Sequence, residues 1–158
     1  MTTGAGRRDW RSEALSILRD ERLVALHDLV EACRDSASYC ALVADALGED
    51  SRAAELRALA EQRGREADFF GDRMIEEEDI PGGPPEERNL LQSALARGKA
   101  ALTDDGEAAL LADCRLREEA VLRNAEAAND APLRDDEKSA AEALAADARR
   151  RLESLLRT

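Results

Sequence analysis

The stretch "LLADCRLREEAV", residues 110 to 121, places Leu111, Cys114 and Val121 on one helix face and Glu118 where that apolar stripe calls for a fourth member. A carboxylate directed into a helix bundle is the starting point of a di-metal site. Such a site takes a carboxylate from each of two helices and a Glu-x-x-His pair from each of the other two. The chain has a single histidine, His27, without a glutamate three residues before it. The residues of a histidine-containing di-metal centre are thereby lacking, and His27 reads as a boundary residue beside Leu26 and Val30. An all-carboxylate site would draw on Glu118 with Glu61, Glu66 and Glu119, although no spacing singles these four out.

A second reading of Glu118 needs no metal. If the first helical hairpin turns near Gly48 to Asp50, Ala37 lies level with Gln62 and Arg63. An internal echo then places Glu118 at the height of Ala37. Burying a lone carboxylate is costly, whereas a guanidinium that bonds both its oxygens offsets much of the desolvation. The expected arrangement is a Glu118 to Arg63 ion pair, with Arg151 as the competing partner.

Three cysteines, Cys33, Cys40 and Cys114, share these seams. Cys33 and Cys40 stand two helical turns apart, ~10.5 Å along the axis, which forbids a disulfide within that helix. A Cys33 to Cys114 approach across helices is conceivable, but buried free cysteine is ordinary core filling. An odd count without an export signal fits reduced thiols in a cytoplasm. There is no glycine-rich phosphate loop, nucleophile-base pair or second histidine for acid-base work, so hydrolase and nucleotide-binding readings lack residues. The acidic run Glu76 to Asp79 precedes a proline break and reads as a solvated helix end.

The elements that must position these residues are helical. Aromatic residues make up only 3% of the 158, and alanine, leucine, glutamate and arginine dominate, a mixture of strong helix formers poor in strand formers. A charged fraction of 37% beside 44% hydrophobic residues suits amphipathic helices. The net charge of -12 argues against nucleic acid and against anionic membrane surfaces as partners. No apolar run approaches the ~20 residues of a membrane span.

All four prolines, Pro81, Pro84, Pro85 and Pro132, fall between periodic segments. The first helix runs from about Asp20, or from Ser12, to Leu47. Its seam is Leu23, Leu26, Val30, Cys33, Ala37, Cys40, Ala44 and Leu47, in steps of three and four. Gly48 occupies the C-terminal cap position, and Asp50 or Ser51 can cap the next helix. That second helix spans about Ser51 to Glu77, with Leu56, Ala60, Arg63, Ala67, Phe70 and Met74 on one face and Gly64 and Gly71 beside it. A short third helix is expected over about Glu87 to Thr103, docking through Leu91, Leu95 and Leu102. A fourth covers about Glu107 to Asn129 and a fifth about Asp136 to Leu156.

Sliding the chain by 81 positions lays "LVEACR" over "LLADCR" and pairs Val30 with Leu111, Cys33 with Cys114, Ala37 with Glu118, Cys40 with Val121 and Ala44 with Ala125. Leu56, Ala60, Arg63 and Ala67 likewise echo Leu144, Ala148, Arg151 and Leu155. The echo points to two helical hairpins related by a pseudo-twofold. Long helices of ~25 residues measure ~37 Å, and the connection from Glu78 to Asp105 is long enough to travel that distance. Such a traverse leaves the second and fourth helices parallel, the one-crossover arrangement of ferritin-like bundles.

The segments "LHDLVEACRDSASYCALVADA", "LAEQRGREADFF", "ALARGKAALT" and "CRLREEAVLRNAEAA" resemble a bacterial family of ferritin-like four-helix-bundle proteins of unknown function, over roughly Asp20 to Leu155. The resemblance implies an all-α, ferritin-like antiparallel four-helix bundle with a short extra helix in the crossover, and it carries no activity and no cofactor. Ala96 and Lys99 depart from it, standing where larger ring-bearing side chains are expected. The domain reading is an N-terminal extension over 1–19 and the bundle over 20–158. The functional expectation is a non-enzymatic cytoplasmic scaffold, stress-related or acting through a protein partner or a second copy of itself, with Leu91 and its apolar neighbours as the dimer contact. The alternative is a metal-binding or oxidoreductase bundle using carboxylates alone.

Overall fold

The computed structural model describes residues 10–76 and 104–154, with side chains over 21–76 and 106–154. Within them lie four helices and no strand: α1 Trp10–Leu47, α2 Ser51–Ile75, α3 Asp104–Ala128 and α4 Asp135–Glu153. The short helix expected over 87–103, with Leu91, Leu95, Ala96, Lys99 and Leu102, lies outside the described residues, as does Leu155. α1 begins at Trp10, close to the Ser12 alternative for its start and earlier than Asp20.

The α1 to α2 turn is built by backbone chemistry. Gly48 adopts φ 75°, the left-handed conformation that closes a helix at little cost for glycine alone. Its N–H donates to the Ala44 carbonyl at 3.1 Å. Arg57 Nη2 donates to the Gly48 carbonyl at 2.8 Å, satisfying an acceptor the helix end leaves open. Asp50 caps α2, its Oδ1 accepting from the Arg52 N–H at 2.8 Å. Gly48→Ala forces an alanine into the left-handed region and is expected to cost about 1 kcal/mol, read as a lower urea midpoint at unchanged slope.

Contacts fix the directions of the helices. Tyr39 reaches Asp113 while Ser36 reaches Glu118, so α1 and α3 are antiparallel. Arg73 meets Asp136 while Arg63 meets Asp147, making α2 and α4 antiparallel. Arg52 stands beside Glu107 and Arg63 beside Glu118, a constant offset, so α2 and α3 run the same way.

The apolar interior is in two parts. One cluster joins Leu26, Leu29, Val30 and Cys33 of α1 to Phe70 and Met74 of α2, Val121 and Ala125 of α3, and Ala141 and Leu144 of α4. The other joins Cys40, Val43 and Ala44 to Leu56, Leu59, Leu111 and Cys114. Burying these side chains is the main driving force for the bundle. Between the two clusters lies a layer of buried polar and charged groups.

Candidate functional site: a buried ionic layer

All four helices contribute to that layer. α2 supplies Arg63, whose side chain is wholly buried, and α3 supplies Glu118, equally inaccessible. The guanidinium grips the carboxylate side-on, Nε donating to Oε1 at 2.9 Å and Nη2 to Oε2 at 2.7 Å. This two-point geometry is what a planar guanidinium offers and an ammonium does not. α1 adds Ser36, whose hydroxyl donates to Glu118 Oε1 at 2.5 Å. From α4 comes Asp147, accepting from Arg63 Nη2 at 3.0 Å.

A ring of bonds leads from this centre toward the surface. Arg63 Nη1 donates to Glu66 Oε2 at 2.6 Å, and Gln62 Nε2 donates to Glu66 Oε1 at 3.2 Å. Arg151 Nη2 donates to Gln62 Oε1 at 3.1 Å, and Arg151 Nε lies 3.7 Å from Asp147 Oδ2. Arg150 Nη2 donates to Asp147 Oδ1 at 2.8 Å. The cations Arg63, Arg150 and Arg151 thus face the anions Glu66, Glu118 and Asp147, three against three. A balanced layer with nearly every polar atom bonded is how buried charge is tolerated. Burial by itself pulls the Arg63 guanidinium toward losing its proton, but the hydrogen bonds and charges of Glu118 and Glu66 outweigh it and hold Arg63 more firmly protonated than usual.

The carboxylates considered as metal ligands are dispersed. Glu118 and Glu66 both turn to Arg63. Glu61 is exposed, and Glu119 accepts from Arg115 at 3.0 Å on its own helix. Among the described residues no three His, Cys, Asp or Glu are grouped so as to hold a metal ion. His27 is exposed on α1, its Nδ1 3.8 Å from Asp28. Arg151, the competing partner for Glu118, instead engages Gln62 and Asp147. The α1 residue that meets Glu118 is Ser36 rather than Ala37, which is only half-buried.

All three cysteines are free and buried, as expected of core filling. Cys114 of α3 lies level with Cys40, not Cys33, and the two belong to one apolar cluster while Cys33 belongs to the other. Antiparallel packing is the reason: with Ser36 opposite Glu118, the α1 residue opposite Cys114 is Cys40. Burial, helped by the charge of Glu66, pushes the Cys33 thiol up to about 12.

A second buried pair lies near the far end of the bundle. Arg22 of α1 donates through Nε to Glu137 Oε2 at 2.9 Å and through Nη2 to Oε1. Glu137 Oε2 also accepts from the Arg134 N–H at 2.9 Å, so the same carboxylate caps α4 and ties it to α1. Desolvation would raise the Glu137 pKa, but the Arg22 hydrogen bonds, the Arg134 N–H and the neighbouring positive charge hold it below the usual value of 4.5. A carboxylate depressed in the folded state binds protons more tightly when unfolded. Its contribution is therefore complete above about pH 4.5 and is lost as pH falls through the folded-state pKa. Glu137→Gln should flatten the acid limb of a stability-versus-pH curve measured by urea titration from pH 7 down to 3. Neither Glu137 nor Asp147 stood out in the sequence.

Compared with protein-family models, with curated proteins and with solved structures, the chain matches none of them. The layer must therefore be interpreted from its own chemistry. No helix of the described residues is long and apolar enough to cross a membrane.

Proposed function

We propose that this protein is a non-enzymatic helical scaffold of ferritin-like topology, belonging with the bacterial family its helices resemble, in which the central carboxylates serve structure. One observation carries this reading: the Arg63 guanidinium occupies the middle of the bundle and bonds Glu118, Glu66 and Asp147 at once. A carboxylate whose oxygens are committed to a tethered cation cannot ligate a metal without losing that cation. The common direction of α2 and α3 supports the topology, since Ile75 and Asp104 then lie at opposite ends of the bundle. With its interior committed to structure, the protein would act through its outer faces, on a protein partner or a second copy of itself in the cytoplasm. The acidic balance disfavours nucleic acid and anionic membranes.

Calorimetric titration of purified protein with iron(II), manganese(II) and zinc(II), with elemental analysis after desalting, tests the reading. The expected result is no stoichiometric uptake. Binding at one or two ions per chain that disappears in Glu118→Gln would overturn it in favour of an all-carboxylate metal or oxidoreductase centre.

A further inference from the structure

Cys40 and Cys114 form a pair of thiols that the ionic layer leaves unused. Each is wholly buried, each sits on the inner face of its helix, and both lie in the apolar cluster on the Gly48 side of the layer. Their adjacency follows from the packing of α1 on α3, fixed by Ser36 to Glu118 on one side and Tyr39 to Asp113 on the other. The Ser36 hydroxyl, 3.9 Å from the Cys40 sulfur, links the thiol pair to the layer. Cys33 is held apart in the other cluster, so the third thiol cannot compete without unfolding.

We propose that Cys40 and Cys114 form a redox clamp, closing into an intramolecular disulfide that ties α1 to α3 when the protein meets a peroxide. One thiol, as thiolate, attacks a peroxide oxygen. The O–O bond breaks, the sulfur becomes a sulfenic acid and, when the peroxide is hydrogen peroxide, one water leaves. The second sulfur attacks the sulfenic sulfur, the S–S bond forms as the S–O bond breaks, and a second water leaves. Two thiols have then lost two electrons and two protons, and the peroxide has gained both.

The local environment sets the rate. Contact with Cys40 and burial both hold the Cys114 thiol protonated well beyond the usual range, and the thiolate is the reacting form. Closure is therefore slow and gated by local opening of the bundle. Once made, the bond closes a long loop between α1 and α3, which stabilises the fold by restricting the unfolded chain.

The test is hydrogen peroxide treatment of the full chain under native conditions, followed by alkylation of free thiols, non-reducing proteolysis and mass spectrometry. The expected product is a monomer carrying a Cys40 to Cys114 peptide linkage with Cys33 alkylated, and a Tm raised by roughly 10 °C that reverts on reduction. Cys40→Ser and Cys114→Ser should each abolish the linkage and the shift, and Cys33→Ser should leave both in place. A linkage through Cys33, a disulfide between chains, or three free thiols after exposure that fully oxidises the urea-unfolded protein would each overturn the proposal.

Discussion

Replacing Glu118 by alanine is expected to lower the unfolding free energy by about 3–5 kcal/mol, the range for breaking a buried ion pair from one side. The cost comes less from the lost attraction than from what remains. Arg63 keeps its charge, is wholly buried and is left with Glu66 and Asp147, its Nε without an acceptor, while Ser36 loses its own. Arg63→Ala should cost a similar amount, because it strands the buried Glu118 without its cation, with only the Ser36 hydroxyl bonded to it. Asp147 is better protected, with Arg150 and Arg151 still at hand. The double replacement Arg63→Met with Glu118→Leu should cost much less than the two single losses added together. Well-packed apolar groups substitute for a buried pair at little cost, and the charges left behind keep partners or partial exposure. Urea unfolding of the single and double variants reads the coupling directly. Single losses below about 1 kcal/mol would mean that the pair is solvated and the layer is not a structural element.

Phe70→Ala is expected to cost about 3–5 kcal/mol, as for large aromatic truncation in a packed core. Phe70 is 1% exposed and packs where all four helices meet in the cluster of Leu26, Val30, Val121 and Leu144. It also meets Phe69 edge to face, with centroids 5.2 Å apart and planes at 82°, a geometry that adds about 0.5–1.5 kcal/mol beyond area burial. Phe69 is the internal comparison. It is only half-buried, with the Arg73 guanidinium 4.5 Å above its ring, so Phe69→Ala should cost distinctly less. Phe70→Leu should recover part of the loss by refilling the space. An unchanged urea slope across the series would show that the native fold, and not its compactness, is being tested.

These two replacements probe the two kinds of interior that the chain builds, and they were not equally visible in the sequence. The apolar clusters were legible because helical periodicity is local: Leu26, Val30 and Cys33, or Leu56, Ala60, Ala67, Phe70 and Met74, mark a buried face by spacing alone. The α1 to α2 turn was legible for the same reason, since Gly48 and Asp50 are cap residues with fixed stereochemical roles. Arg63 and Glu118 were visible as charges on apolar seams. Asp147 and Ser36 were not, because a short polar residue beside a seam reads as surface until the height of the neighbouring helix is known. Arg151 shows the converse. Its spacing made it a candidate partner for Glu118, yet the axial position of α4 gives it Gln62 and Asp147 instead.

The amino-acid sequence determined that this protein is all-helical, where its long helices break, which faces are buried, and that Arg63 and Glu118 would be charged residues facing inward. These properties depend on residue type and on spacing within one helix, over a few turns of chain. Tertiary structure alone decided that Arg63 would hold Glu118, Glu66 and Asp147 together, that Cys114 would meet Cys40, and that Glu137 would join Arg22. Those pairings depend on the axial stagger and direction of helices distant in sequence, and stagger is set by how both apolar clusters pack at once.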